Sequence, residues 1–405
     1  MASGERFVRI VFGIVLGVGV WSAYGQPASD TEDANVIDYF SSNYEEARER
    51  FLESAQAVGA LIETYENTSV GPDGESLYTD VALIGNRDCS TVIVLVSGTH
   101  GVEGFAGSAI ETGLMREGIT SVLGRDSSIL MIHAMNPYGF ARLRRFNEDN
   151  VDLNRNFLDH LKPHPENPAY DELADFIAPA SVQSLFRVFV WPRLLWYKAT
   201  GRTRELQQAI SGGQYSHPEG LFYGGSSESW SNKTVQSIIL RYLSSARRVL
   251  VLDFHTGLGQ YGDYEVILQH PRESPTYQRA VAIWGQEKVR TTFDGVSNID
   301  SGETPRASSS VELSGPMKFA FSNLLPDAEV TAVTVEQGTS SLTQVFLALR
   351  DENWLHHHGD PSSRRGRKIK AKLRQVFYPE ERDWQQMVWS TGKEVVYQAI
   401  RYGTQ

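Results

Sequence analysis

In "LVSGTHGVEGFAGS" (95–108) an apolar run breaks into glycines, and His100 and Glu103 stand there three residues apart. A second histidine, His255, follows the run "RVLVLDF", and Glu336 ends "TAVTV". Between them lies "RRFNEDNVDLNRNF" (144–157), dense in arginine, asparagine and aspartate. In open α/β sheets ligands bind at the carboxyl ends of strands, so polar residues at several such ends point to one shared site. Imidazoles and carboxylates converging there form a metal-site pattern. Two His and one Glu, with a fourth position open to water, is a catalytic zinc set. Such an ion polarises a carbonyl and lowers the pKa of its water. Gly98, Gly101 and Gly104 suit a tight turn that presents His100 and Glu103.

Side chains at such a site must be held by rigid elements. Strand-like runs occur at 80–85, 91–98, 128–137, 248–257, 264–269 and 329–339. Four of them are continuously apolar, as strands covered on both faces are. Helical periodicity begins near Val36, and further helical segments alternate with the runs. The pattern predicts an α/β fold with a mixed, largely parallel central sheet flanked by helices. From about 158 to 245 the rhythm is broken by an aromatic-rich helical segment, "SVQSLFRVFVWPRLLWYKATG", and by the turn-rich "HPEGLFYGG". This stretch reads as an insertion in one domain. The turn-rich part is expected to rim the site, with His217 or Tyr223 as candidate substrate contacts.

The 405 residues are 41% hydrophobic and 21% charged, a globular profile with material for a large core. A formal charge of -11 gives no support to nucleic-acid binding, which uses a basic footprint. The single cysteine, Cys89, precludes an intramolecular disulfide and reads as a small, partly buried residue. Arg6 and Arg9, the apolar "IVFGIVLGVGVW" and the small residues Ala23 and Gly25 are the parts of a secretory signal peptide. The expected division is a signal peptide at 1–25, a polar linker at 26–35 and one domain at 36–405. The expected location is periplasmic or secreted, with retention as an N-terminal membrane anchor as the alternative.

The ordered set "SGTHGVEG", "NPYGF", "NEDNVDLNRNF", "DFHTG" and a distal Glu336 resembles the zinc carboxypeptidase family, the M14-type metallopeptidases. The likeness is greatest to an uncharacterised bacterial branch and spans about residues 40–360. It implies that His100, Glu103 and His255 hold one zinc ion. It implies that Glu336 is the general base and that Arg145 stabilises the oxyanion, with its neighbour Arg144 as the alternative. Asn154 and Arg155 would grip a substrate carboxylate, and Asp152 would orient the first zinc histidine. The mobile tyrosine of carboxypeptidases has no counterpart, since no tyrosine lies between Tyr277 and Glu336. Deacylases related to the family lack it too.

The expected function is therefore a zinc-dependent hydrolase acting on an amide bond next to a free carboxylate, with a peptide or acyl-amino-acid substrate. A deacylase of small N-acyl amino acids is the first alternative and an inactive ligand-binding module the second. Outside the motifs, His356–His358 read as surface or packing residues, "RRGRKIKAKLR" (364–374) as a solvated helix face and His133 as a core histidine.

Overall fold

Each of the six strand-like runs picked out above falls wholly or largely in a strand, and two strands of less obvious pattern join them. The computed structural model describes residues 36–182, 184–295 and 308–404. The expected signal peptide and linker, 1–35, lie outside the described residues. In chain order the main elements begin with helix α1 (Tyr44–Ala57), β1 (Leu61–Val70), β2 (Ser76–Gly85) and β3 (Thr91–Val96). Next come α2 (Gly104–Arg116), β4 (Ser127–His133), α3 (Trp230–Leu243), β5 (Arg248–Leu258), β6 (Tyr264–Leu268) and β7 (Val289–Thr291). The chain continues with α4 (Lys318–Leu324), β8 (Glu329–Ser340), α5 (Leu342–His358), α6 (Arg364–Phe377) and α7 (Arg382–Gly403).

The strands form one sheet in the order β1-β2-β4-β3-β5-β8-β6-β7. Its centre, β4-β3-β5-β8, is parallel, and the sheet turns antiparallel at β2 and β6. The mixed sheet flanked by helices thus agrees with the expectation. Every residue of β3 is buried. Ile93 and Leu95 join the core under α1, α2 and α7, while Val92, Val94 and Val96 join the core under α3 and α4. A two-residue side-chain period divides one continuous apolar run between two layers.

The strand at 128–137 is shorter than expected. β4 stops at His133, because Asn136 caps the short helix Pro137–Ala141, accepting a hydrogen bond from Gly139 N–H, and Pro137 suits its first turn. β1 was not expected because one of its faces is solvent-exposed along nearly its whole length. Within the stretch expected to be an insertion, helices span Ser184–Ala199 and Thr203–Ser211. Its last helix, α3, instead packs on the sheet through Val235, Ile238 and Ile239. No helix among the described residues is long and apolar enough to cross a membrane.

Candidate metal centre and active site

The site sits on the carboxyl ends of the interior strands. After β3 the chain turns at Gly98, whose φ of +69° is left-handed and favours glycine. His100 and Glu103 follow on a single 3-10 turn before α2. A Cβ on Gly101 would lie 2.0 Å from the Gly139 carbonyl carbon, so a bare glycine lets the two segments close on each other. His255 and Glu336 do not follow their strands. They lie inside β5 and β8 as directly paired neighbours, near the strands' carboxyl ends.

His100, Glu103 and His255 are all buried, and one ligand atom from each lies within 4.8 Å of the others. His100 Nδ1 is 3.1 Å from Glu103 Oε1, His255 Nδ1 is 3.0 Å from Glu103 Oε2, and the two Nδ1 atoms are 3.0 Å apart. The far side of each ring meets a carboxylate. His100 Nε2 lies 3.0 Å from Asp152 Oδ1 and His255 Nε2 lies 2.7 Å from Asp253 Oδ2. A carboxylate only accepts, so each Nε2 carries the proton and each Nδ1 presents a lone pair. Two lone pairs and a carboxylate then converge with no donor among them. A cation at their centre satisfies all three, and the donor set suits zinc.

The electrostatics point the same way. Burial works against ionisation of Glu103, but His100, Arg145 and His255 outweigh it and hold the carboxyl well below its usual range. Burial also pulls the His255 imidazolium down, yet Asp253 and Glu103 prevail and push it up to about 10. Without a metal, a proton takes the place the lone pairs reserve for a cation. Glu336 behaves oppositely. Burial and then the charge of Glu103 raise it to about 7, against the pull of His255, the Leu258 N–H and Arg145.

Asp253 carries no role in the sequence reading, although it lies in the quoted "DFHTG". Its other oxygen accepts from Thr99 Oγ1 at 2.7 Å. Two residues apart on a strand, Asp253 and His255 share a face, which is the signal that would have paired them.

The tandem arginines separate clearly. Arg145 donates through Nη1 to Glu103 at 2.6 Å and through Nε to Asp152 at 3.2 Å, and it lines the cavity. Arg144 points away, to Glu352 at 2.9 Å and Asn150 at 2.8 Å, and Lys370 reaches the same Glu352 oxygen at 2.7 Å. Burial opposes the Glu352 charge, but Arg144 and Lys370 prevail and hold its pKa at about 2, well below the usual carboxylate range. A folded-state pKa below the unfolded one stabilises the fold above the unfolded value, and the benefit fades as pH falls through the folded value. The shift corresponds to roughly 3 kcal/mol. Glu352→Gln is therefore expected to lose about that much unfolding free energy at pH 7, with the deficit shrinking between about pH 4.5 and 2. Denaturant titrations at pH 7 and pH 3 check this; a deficit of equal size at both pH values would contradict it.

Asn154 and Arg155 also line the cavity. Asn154 Oδ1 accepts from Met317 N–H at 3.0 Å, and its Nδ2 lies 3.4 Å from His255 Nε2. Arg155 is more committed than its expected role suggests. Its Nε and Nη2 both donate to the Ser211 carbonyl, and Nη1 lies 3.5 Å from Asp152. The "HPEGLFYGG" loop does rim the site, but through Phe222, which lines the cavity where His217 and Tyr223 do not. A left-handed φ of +56° places the Phe222 ring 5.5 Å from the Arg145 guanidinium and 5.4 Å from that of Arg155. His217 instead pairs with Asp171 at 2.8 Å. His133 is buried against the Phe51 ring, and its Nε2 lies 2.9 Å from Ser108 Oγ.

Residues 40–391 match the model of a family described as a protein of unknown function, DUF2817. The chain belongs to the DUF2817 family. No curated protein matches it in sequence. Among solved structures, this DUF2817 chain is similar to the carboxypeptidase A of Helicoverpa armigera, at 14% identity over 85% of this chain and 76% of that one, with a TM-score of 0.45. It is similar to thrombin activatable fibrinolysis inhibitor, at 10% identity over 92% and 80%, TM-score 0.49. It is also similar to the succinylglutamate desuccinylase of Chromobacterium violaceum, at 15% identity over 82% and 74%, TM-score 0.35.

Proposed function

We propose that this chain is a zinc-dependent hydrolase that cleaves an amide bond next to a free carboxylate. The observation that carries the reading is the buried trio His100, Glu103 and His255, whose lone pairs and carboxylate converge at the wall of the cavity that His100, His255, Glu336 and Arg145 line. An ion held by the trio supplies Lewis acidity to the scissile carbonyl and acidifies a water. Glu336 takes the proton from the attacking water and delivers it to the departing amine. Arg145, with Nε and Nη1 spent on Asp152 and Glu103, turns Nη2 to the oxyanion as charge develops. Asp152 and Asp253 hold the two imidazoles in the tautomer that keeps Nδ1 unprotonated. Asn154 and Arg155 supply a donor and a positive charge to the substrate carboxylate. The signal-peptide-like N-terminus supports an exported enzyme, with one hydrolase domain over 36–405.

The cavity, about 440 Å³, suits a short substrate. Peptide ends and small N-acyl amino acids both present an amide beside a carboxylate. The test is a panel of both, each as free acid and as carboxyl amide, with zinc and with chelator. Free acids are expected to be hydrolysed and amidated partners to lose at least about tenfold in kcat/KM, the scale of a lost charged hydrogen bond. Arg155→Ala is expected to raise KM for the free acids and leave the amides little changed. Equal cleavage of acid and amide would remove the carboxylate from the proposal, and hydrolysis unaffected by chelator would remove the metal.

A further inference from the structure

Among the described residues, and besides the exposed Lys198, three cations line the cavity: Arg145, Arg155 and Lys318. The two arginines direct their charge at the protein, Arg145 at Glu103 and Asp152, Arg155 at Asp152. Lys318 does not. It is 6% exposed, it forms no ion pair among the described residues, and Nζ makes one long contact, 3.4 Å to the Ile267 carbonyl. An ammonium has three donors, and burying it without a partner is expensive. Burial outweighs the attraction of Asp253 and pulls the Lys318 pKa down to about 8.

Local geometry ties this lysine to the residues assigned to the substrate carboxylate. Gly315 has a left-handed φ of +67°, and a Cβ there would lie 2.7 Å from the Arg155 carbonyl oxygen. Phe157 N–H donates to the Gly315 carbonyl at 3.0 Å, and Met317 N–H donates to Asn154 Oδ1 at 3.0 Å. Residues 154–157 and 315–318 are thus one hydrogen-bonded unit. A second polar group in the cavity wall also lacks a partner among the described residues: Thr292 Oγ1 is buried and makes no hydrogen bond to any of them.

We propose that Lys318 binds a second anionic group of the substrate, so that the amino acid released from the scissile amide is a dicarboxylate of the aspartate or glutamate type. Its free α-carboxylate meets Asn154 and Arg155, and its side-chain carboxylate takes hydrogen bonds from Lys318 Nζ and Thr292 Oγ1. The inference rests on reading this cavity as the site of amide hydrolysis. Charge balance agrees with it. Arg145, Arg155 and Lys318 offset Glu103, Asp152 and Asp253, so a divalent cation leaves this set of described groups positive even with Glu336 ionised.

The experiment has a binding arm and a turnover arm. In the first, L-aspartate, L-glutamate, L-asparagine and L-glutamine are titrated calorimetrically into the zinc-loaded full chain. One or both acids are expected to bind at least about tenfold more tightly than the matching amide, on the scale of a charge-assisted hydrogen bond. Lys318→Met is expected to erase that difference, and Lys318→Gln serves as a second neutral variant should the first not fold. An acid no better bound than its amide, or a preference that survives both substitutions, overturns the proposal. In the second arm the N-acetyl derivatives of the same four amino acids are offered as substrates. Hydrolysis without preference for the acidic pair overturns the role of Lys318 and leaves the amide hydrolase standing. Lys318-dependent binding of the acids with no hydrolysis of any derivative does the reverse.

Discussion

Glu336→Gln is expected to keep the fold and the bound metal and to lower kcat by roughly 10²–10⁴-fold, the usual contribution of a positioned acid–base group. That loss equals about 3–5 kcal/mol of transition-state stabilisation. The substitution is nearly isosteric, and the amide oxygen can still accept from Leu258 N–H, as Glu336 Oε1 does at 3.0 Å. It also removes a carboxyl that burial and Glu103 already hold up at about 7, so the fold loses little when the charge is gone. What glutamine cannot do is accept the proton of the attacking water. KM should change far less than kcat, because the proposed base acts in the step rather than in binding. Turnover near the wild-type level on a substrate that the wild type cleaves would show that Glu336 is not the base.

The metal centre carries the other large effect. His255→Ala removes one of the three proposed ligands, and the purified variant is expected to hold no stoichiometric zinc and to lack activity. Asp253→Asn is the finer test. The aspartate touches His255 and not the ion, so the variant should still bind zinc but with an affinity roughly 10–100-fold lower, as is typical for residues that orient a ligand. Competition with a chelator of known affinity measures this directly. Because the ion binds the folded chain, stripping it should also lower Tm in the wild type and leave His255→Ala unmoved. Equal zinc content in the wild type and His255→Ala would refute the ligand set.

These effects were foreshadowed unevenly along the chain. "TVIVLVSG" announced β3 because a strand covered on both faces needs apolar side chains at every position. "LIETYENTSV" did not announce β1, whose outer face meets solvent and accepts polar residues freely. The interruption at 158–245 was visible as a loss of rhythm. That its last helix returns to the sheet was not, since an apolar helix face does not say which partner it covers.

For the candidate site, residue type and spacing along the sequence were enough to single out His100, Glu103, His255, Glu336 and the 144–157 segment. Metal-site chemistry restricts residue types severely, and interior strands end in register at one edge. Choosing between Arg144 and Arg145 required the fold. Neighbouring side chains diverge, and only packing sends one to Glu352 and the other to Glu103. Phe222 and Lys318 likewise have no local signature. A left-handed φ turns the phenylalanine ring over two arginines. A glycine turn held against 154–157 carries the lysine into the cavity from more than 160 residues away. The sequence determined the kinds of groups available, because chemistry dictates them. Tertiary structure alone decided which charges are spent on each other and that Lys318 has no ion-pair partner among the described residues, because the balance of buried charge depends on distance and burial rather than on order in the chain.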